Sequence, residues 1–239
     1  MTDAASRIEV TVAAPVDTVW QALRDKETIR QWHGWDYDGL DDEIDLIYFT
    51  DVGADADAHT LSVQGGDLVR LASDGAGTRV TLTRAPRGSN PDWDAYYTDI
   101  TEGWVTFLHQ LKFAIERKPG ATRQTLYFAG SNESGLDVVD EIELPGGPTV
   151  ETSLVGEDVK GEAWFRSAHQ YGVTVDAWGD GLLVVSSLAP SADKPEGAAM
   201  AILSTYGLDD ARLAEIRERW TEWWIERFPS DELFTSEVD

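Results

Sequence analysis

Apolar residues at helical spacing mark residues 102–117, EGWVTFLHQLKFAIER, as an amphipathic helix. Trp104, Phe107 and Leu111 recur at intervals of three and four residues, which places them on one face of an α-helix. A helix with the same spacing is predicted near the C-terminus, where the matching positions are Leu213, Ile216, Trp220 and Trp224. Each apolar face needs a surface to cover, so the rest of the chain is interpreted around these two helices.

Polar residues with capping chemistry predict where the two helices begin. Asp99 and Glu102 have the spacing of a capping box ahead of the first helix. Asp209 is predicted to cap the second helix, with Leu208 and Leu213 in the positions of a hydrophobic staple. The acidic residues at both starts also suit the positive end of a helix dipole.

Alternating apolar and polar residues predict β-strands before each long helix. In the first half, RIEVTVA at residues 7–13 is a strand, followed by a helix after Pro15 and a short helix capped by Thr28. Residues 43–85 are predicted as a meander of four strands that begins with DEIDLIYF. Residues 96–97 are assigned to a last short strand before the long helix.

The second half repeats this order. It begins with the strand RQTLYFA at Arg123, continues through a weak helix signal in SGLDVVDEI and further strands, and ends in the Trp-rich helix. Lys118, Pro119 and Gly120 break the first long helix and mark the best boundary. We therefore predict two domains, residues 1–118 and 119–239, with the second half a degenerate copy of the first or an extension packed as one unit with it.

Composition narrows the class of protein. An apolar fraction of 42% with ten Trp residues is typical of a folded globular chain, and the absence of Cys excludes disulfides and thiolate sites. The net charge of −25 argues against a nucleic-acid partner and an anionic membrane surface. The sequence has no apolar run of the ~18 residues that membrane insertion requires, and MTDAASRIEV lacks a signal-peptide core, so we expect a cytoplasmic protein.

Reactive residues do not form a recognisable catalytic or metal-binding motif. His33, His59, His109 and His169 show no metal-ligand spacing, and no P-loop, dinucleotide-binding glycine motif or nucleophile elbow is present. His33 is interpreted as a helix-end residue and His109 as a partly exposed polar position. His169 lies between predicted strands and is a pocket candidate. We expect no metal, no cofactor and no catalytic set.

Tryptophans allow two interpretations. Aromatic residues at helical spacing usually pack in a core, but some could instead line a cavity that binds an apolar molecule. Trp223 and Trp224 are neighbours and cannot both face one way, so one of them is expected to meet a second surface.

Three segments of the first half resemble the activator-of-heat-shock-protein-90-ATPase homologue (AHSA-type) branch of the START-like, or SRPBCC, superfamily. They are APVDTVWQAL from Ala14, TIRQWHGW from Thr28 and EGWVTFLHQLKFAIE from Glu102. The second half is similar to the C-terminal part of two-part bacterial members, mainly through GVTVDAWGDGLLVV and the last helix. The resemblance implies an α+β helix-grip, in which an antiparallel sheet curls around a long C-terminal helix with a cavity between them.

The function expected from this resemblance is that of a non-enzymatic binding protein. It would hold a small hydrophobic ligand under the C-terminal helix or assist another protein. A cavity enzyme of the cyclase or dehydratase kind, with His169 or Tyr171 as acid or base, is one alternative. An acidic protein-interaction or co-chaperone module without a ligand is the other, and the oligomeric state stays open. The candidate pocket-lining residues are Trp20, Trp32, Trp104, Phe107, Leu111, His169, Tyr171 and Trp178.

Overall fold

The chain forms two compact α+β units, one up to Ala121 and one from Thr122. A computed structural model describes residues 6–88, 96–191 and 194–230. The sequence prediction places the domain boundary after Lys118, and the predicted domains include terminal residues 1–5 and 231–239, which lie outside the described residues. The predicted lack of a signal-peptide core likewise concerns those first residues.

The first unit has a five-stranded antiparallel sheet in the order β1-β5-β4-β3-β2. Its last strand pairs with its first, with Val10 opposite Val80. The strands are β1 (Arg7–Val12), β2 (Gly53–Asp55), β3 (Thr60–Ser62), β4 (Leu68–Asp74) and β5 (Gly77–Thr83). The helices are α1 (Val16–Arg24), α2 (Lys26–Arg30), α3 (Leu40–Tyr48) and α4 (Tyr97–Arg117).

The second unit has a six-stranded antiparallel sheet in the order β6-β11-β10-β9-β8-β7. Again the last strand pairs with the first, with Leu203 opposite Leu126. The strands are β6 (Arg123–Gly130), β7 (Thr149–Leu154), β8 (Glu157–Arg166), β9 (Gln170–Val175), β10 (Gly181–Leu188) and β11 (Ala198–Tyr206). The helices are α5 (Val138–Glu141) and α6 (Asp210–Arg227).

The two units share one plan, a helix-grip. In each, the first strand is followed by a helical insert, a meander returns the chain to the first strand, and a long helix ends the unit. Three helices fill the insert of the first unit, whereas a single short helix is described in the second. The predicted fold class is confirmed, including a second copy of the plan. No helix within residues 6–88, 96–191 and 194–230 has the length and apolar character of a membrane span.

Each C-terminal helix buries the face that its sequence spacing predicts. Trp104, Leu108 and Leu111 of α4 lie in the core of the first unit. Trp220 and Trp224 of α6 lie in the core of the second, together with Ile216 and Phe228. The predicted cap of α6 is confirmed, because the carboxylate of Asp209 accepts a hydrogen bond from the backbone N–H of Arg212 at 2.8 Å.

The segment predicted as the first strand of the meander, DEIDLIYF, is a helix instead. Residues Leu40–Tyr48 form α3, in which Leu40, Ile44 and Tyr48 are buried. These positions lie four residues apart and therefore follow the period of a helix, whereas a strand prediction rests on Ile44 and Leu46, and Leu46 is exposed. Acidic residues in the first turn also favour this helix through its dipole.

The start of α4 also differs from the prediction. The helix begins at Tyr97, five residues before Glu102, so Asp99 lies inside its first turn and is not a cap. Residues 96–97 belong to this helix start and not to a strand. Arg84 supports the first turn, because its guanidinium donates to the Tyr97 carbonyl at 3.0 Å and lies 4.4 Å from the centre of the Tyr97 ring. The cap of α2 is Asp25, which accepts from the Thr28 N–H, and is not Thr28 itself.

A buried carboxylate holds α4 to the sheet of the first unit. Asp67 is 4% exposed, and its Oδ2 accepts from the indole N–H of Trp104 at 2.9 Å. The same oxygen lies 2.8 Å from Nε of Arg84, and Oδ1 accepts from the backbone N–H of Ala85 at 2.8 Å. A buried charge is costly unless it is fully paired, so a shift of α4 that separated Trp104 from Asp67 would be unfavourable. The cluster therefore fixes the position of the helix.

We expect Asp67→Ala to lower the free energy of unfolding by about 3–5 kcal/mol, because it leaves the buried Arg84 charge without its partner. Urea unfolding followed by circular dichroism measures this loss. Asp74→Ala is the matched control, since Asp74 pairs with Arg79 at the surface and such pairs contribute about 1 kcal/mol or less. Equal losses in the two variants would contradict a structural role for the buried cluster.

Candidate functional site

A cleft of about 440 Å³ lies in the second unit, between α6 and two segments that face it. This volume is within the range of small-molecule sites. The first facing segment comprises residues 141–143, at the end of α5, and the second is the β7–β8 hairpin. The lining residues are Glu141, Ile142, Glu143, Ser153, Val155, Gly156, Arg219, Glu222, Trp223 and Glu226.

Helix α6 presents two neighbouring faces, one to the core and one to the cleft. The cleft face carries Arg219, Glu222, Trp223 and Glu226, at intervals of three and four residues. The adjacent core face carries the buried Trp220. Rotation of the helix about its axis therefore decides both the packing of the core and the lining of the cleft.

Glu157, on β8, fixes this rotation. Its side chain is 11% exposed and pairs with Arg212, and with Arg219 at 2.8 Å. It also accepts from the indole N–H of Trp178 at 3.3 Å. Arg219 additionally contacts Glu215 at 3.4 Å, so its positive charge is already shared between two carboxylates. Charge-assisted bonds of this kind are directional and hold α6 against β8.

Carboxylates dominate the charge of the cleft. Glu141 and Glu143 lie on one wall and Glu222 and Glu226 on the α6 wall. Against these four carboxylates stand two guanidinium groups, that of Arg219 in the lining and that of Arg227, which contacts Glu141 and Glu226. Within the part of the chain that the structure describes, Glu143 and Glu222 form no ion pair. The cleft is therefore an electronegative site with an apolar portion made by Trp223, Ile142 and Val155.

Arg227, from the same helix, makes a cation–π contact with the indole face of Trp223. The guanidinium carbon of Arg227 lies 4.5 Å from the centre of the Trp223 ring. Nε of Arg227 contacts Glu141 at 3.3 Å, and Nη1 contacts Glu226 at 3.4 Å. Trp224 is buried, whereas Trp223 is half-buried: it lines the cleft and also packs against the edge of the core, 6.1 Å from the ring of Trp220.

Val155 and Glu143, which both line the cleft, have a strained backbone with positive φ. Val155 has φ 47° and the following Gly156 has φ 77°, which gives the β7–β8 turn the left-handed geometry of a two-residue hairpin. Glu143, on the facing segment, has φ 52°. Left-handed φ is unfavourable for a β-branched residue such as Val. Strained positions cluster at functional sites, and both of these line one cleft.

The pocket candidates of the second unit do not line this cleft. Tyr171 and Trp178 are buried in the core, and the Tyr171 hydroxyl donates to the Pro145 carbonyl at 3.0 Å. His169 is exposed in the turn between β8 and β9, because the tight turn closed by Ser167 directs it away from the sheet. The structure therefore does not bring His169 together with the two aromatic residues.

The pocket candidates of the first unit lie in its core. Trp20, Trp32 and Leu111 are buried, as is Trp104, and Phe107 is partly buried against the same cluster. The polar edges of two indoles are used within the protein, since Trp32 donates to the Ala22 carbonyl at 2.9 Å and Trp104 to Asp67. Their proposed pocket role stays a prediction.

A buried polar network crosses the first unit next to these aromatic residues. His33 lies just after the end of α2, where its backbone N–H donates to the Ile29 carbonyl at 2.8 Å, and its side chain has no exposed surface. Its Nδ1 lies 3.0 Å from the Tyr48 hydroxyl and its Nε2 lies 3.5 Å from Glu43. Tyr37 donates to Glu43 at 2.6 Å, and the ring of Phe107 lies 4.4 Å from that of His33. The network joins α3 to the segment after α2.

Burial and hydrogen bonding set the protonation of this network. Burial raises the pKa of Tyr48 well above its ordinary value, with the nearby charge of Glu43 acting in the same direction. Burial also raises the pKa of Glu43, but the donors on His33 and Tyr37 outweigh it and leave that pKa below its usual value. Tyr48 is therefore neutral and Glu43 ionised at neutral pH, which suits a fixed structural network.

Acidic and histidine side chains do not assemble into a metal site. Among the described residues, no group of three or more His, Asp or Glu is placed to hold a metal ion.

Known proteins offer only distant similarity. No family model matches the chain, and no curated protein matches it. A crystal structure of DynU16, from the dynemicin biosynthetic locus, is 18% identical, with a TM-score of 0.34 over 93% of this chain and 95% of that one. The di-domain ARO/CYC protein BexL of the BE-7585A biosynthetic pathway is 11% identical, with a TM-score of 0.35 over 95% of this chain and 99% of that one.

The di-domain ARO/CYC protein StfQ, from the steffimycin biosynthetic pathway, is 13% identical, with a TM-score of 0.34 over 93% of this chain and 92% of that one. At such identities and TM-scores, these similarities say nothing about the ligand or activity of this protein.

Val155→Asn is expected to raise the free energy of unfolding by about 1 kcal/mol, because Asn tolerates the left-handed conformation of a hairpin turn better than Val. Urea unfolding measures the gain. Val150→Asn, on the strand β7 that leads into this turn, is the control, and we expect it to destabilise the protein because Val150 is buried in the core. A loss of stability in Val155→Asn would show that the packing of Val155 outweighs its strain.

His109 gives a pH-dependent prediction for the first unit. Burial, with a smaller contribution from Lys112, lowers the pKa of His109 to about 4. The unfolded chain, with a His pKa of about 6.5, then binds protons more readily than the folded chain between these values. Stability is therefore full above pH 6.5 and falls as the pH falls towards 4.

We expect the loss of stability between pH 7 and pH 4.5 to be smaller in His109→Gln than in the parent protein. Denaturant unfolding at each pH measures this difference. His169→Gln, at an exposed position, is the matched control for the removal of one histidine. An unchanged pH dependence in His109→Gln would contradict the assignment.

Proposed function

We propose that the protein binds a small organic molecule in the cleft between α6 and the β7–β8 hairpin. The single observation that carries this proposal is a concave site of about 440 Å³ with the indole of Trp223 in its wall. Small-molecule sites commonly have volumes of about 300–1,000 Å³ and include aromatic lining residues, and this cleft adds a lining of which half the residues are charged. The sequence predicted a cavity between the sheet and the C-terminal helix, and none of the pocket candidates named from the sequence lines this cleft.

The lining supports a ligand that is partly apolar. Trp223 and Val155 are half-buried and offer apolar surface that a hydrophobic portion of a ligand would cover, whereas Ile142 is already buried beneath them. Glu143 and Glu222 would interact with a polar portion, since the other two carboxylates of the lining already contact Arg227. This differs from the purely hydrophobic ligand expected from the sequence, since most of the side chains around the cleft are charged.

The finer assignment to the AHSA-type branch stays a prediction from the three segments of the first half. The cyclase alternative gains one observation, because a carboxylate without an ion-pair partner, such as Glu222, is a group that general acid–base chemistry uses. Its earlier candidates are less suitable, since His169 is exposed and Tyr171 donates to a backbone carbonyl. The protein-interaction alternative rests on the acidic composition alone.

A cavity-filling substitution tests the proposal. Ser153 is exposed on β7 and lines the cleft, so Ser153→Trp would occupy the space that a ligand needs. Glu151→Trp is the matched control, because Glu151 is exposed two residues earlier on the same strand and outside the cleft.

We expect members of a library of lipids, polyketides, flavonoids and organic amines to raise the melting temperature of the parent and of Glu151→Trp. A ligand at 100 times its Kd stabilises a protein by about 2.7 kcal/mol, which thermal unfolding detects readily. Ser153→Trp should weaken binding of the same compounds at least ~tenfold, which corresponds to about 1.4 kcal/mol. Equal affinities in the two variants, or no binding compound, would refute the proposal.

A further inference from the structure

The negative charges of the cleft are in part unpaired, whereas the positive charge of its lining is paired. Glu143 and Glu222 face it from opposite sides without ion-pair partners among the described residues. Arg219, the cation of the lining, is engaged by Glu157 and Glu215. An anionic ligand would meet uncompensated carboxylates, whereas a cationic ligand would find acceptors that nothing else uses.

A guanidinium already lies against three lining residues of the cleft. Arg227 stacks over Trp223 at 4.5 Å and contacts both Glu141 and Glu226. An indole face flanked by carboxylates is the arrangement with which proteins recognise organic cations, because the ring quadrupole and the negative charges act together. The side chain of Arg227 therefore displays the chemistry that this wall accepts.

We infer that the cleft takes an organic cation with an apolar or aromatic portion, and that Arg227 occupies the cation position when the ligand is absent. This inference rests on the proposed function and names the ligand class. An ammonium or guanidinium group would replace Arg227 over Trp223, and the ligand's apolar portion would cover Val155. The overall charge of −25 would also concentrate cations near the surface.

Displacement of Arg227 has a modest cost in this scheme. Arg227 is the last residue of α6, its side chain is 31% exposed, and its Nη1 donates to the Trp223 carbonyl at 3.1 Å. Its ion pairs with Glu141 and Glu226 are long, at 3.3 Å and 3.4 Å, and partly exposed, so each contributes little. A ligand can therefore compete with it without disturbing Trp220 or Trp224 in the core.

Three probes that share one aromatic ring test the ligand class. They are benzyltrimethylammonium, benzyl alcohol and benzoate, which are cationic, neutral and anionic. We expect the ammonium to bind the parent protein at least ~tenfold more tightly than either of the others, as judged by calorimetric titration. Its affinity should fall in Ser153→Trp and with added salt, because an exposed electrostatic contribution is screened.

Substitutions at Arg227 test its part in the scheme. Arg227→Met keeps an unbranched apolar side chain and removes the charge, so the ammonium should bind about tenfold more tightly than to the parent. Arg227→Lys retains a cation and should bind within about twofold of the parent. Glu222→Gln should weaken the ammonium and leave benzyl alcohol unchanged, while Glu218→Gln, one turn earlier on the exposed side of α6, should change neither.

Each contrary result has a separate meaning. If a neutral or anionic compound binds at the Ser153-sensitive site and the ammonium binds no more tightly, the cationic class is wrong and the proposed function stands. If Arg227→Met binds the ammonium no more tightly than the parent does, Arg227 does not occupy the cation position. If neither a probe nor a library compound binds, the proposed function itself fails. Circular dichroism of every variant verifies folding.

Discussion

The packing of a C-terminal helix against a curled antiparallel sheet is the interaction on which each unit depends. In both units the last strand returns to pair with the first, and the helix that follows buries one apolar face on the sheet. Burial of Trp, Leu and Ile side chains stabilises the folded state by about 25 cal/mol per Å² of apolar surface. A helix face that buries several such side chains therefore contributes substantially to the stability of its unit. The strands and the helical inserts are arranged around that requirement.

The two units meet this requirement with different chemistry. In the first, Asp67 joins the Trp104 indole to Arg84, and His33 joins Tyr48 to Glu43, so polar groups within the core fix the helices. In the second, the core beneath α6 is formed by stacked aromatic rings such as Phe128 and Trp220, 5.8 Å apart. The polar contacts there lie at the edge of the helix, where they meet solvent and the cleft.

The spacing of apolar residues predicted those helices and strands whose apolar residues follow one period clearly. The faces of α4 and α6 and the strands from residue 60 onwards in the first unit follow spacings that belong to one element alone. The strand prediction for α3 was wrong because the apolar residues of this short segment fit both the two-residue period of a strand and the 3.6-residue period of a helix in part. In the structure the segment is a helix, which buries Leu40, Ile44 and Tyr48 together. The early start of α4 depends on Arg84, a contact thirteen residues away in sequence.

The candidate site was harder to predict because it combines three separate segments. Glu141, Val155 and Trp223 approach one another only through the sheet and helix packing, and none belongs to a motif. The adjacency of Trp223 and Trp224 was the one available signal, since two neighbouring indoles on a helix cannot share a face. The glutamates of the cleft could not be recognised in the sequence, because they are a few of 44 acidic residues and nothing in the sequence distinguishes them from acidic residues elsewhere on the surface.

Fold and site are linked through α6, and this explains why the cleft has a defined shape. Glu157 receives Arg212, Arg219 and Trp178, and so it fixes the helix at the rotation that buries Trp220 and Trp224. The same rotation turns Trp223 and Glu222 towards the β7–β8 hairpin. A change that weakened Glu157 would therefore loosen the core and the cleft together, whereas Glu222, on the cleft face and outside these contacts, can vary without affecting the core. This separation allows one helix-grip to retain its stability while its binding surface changes.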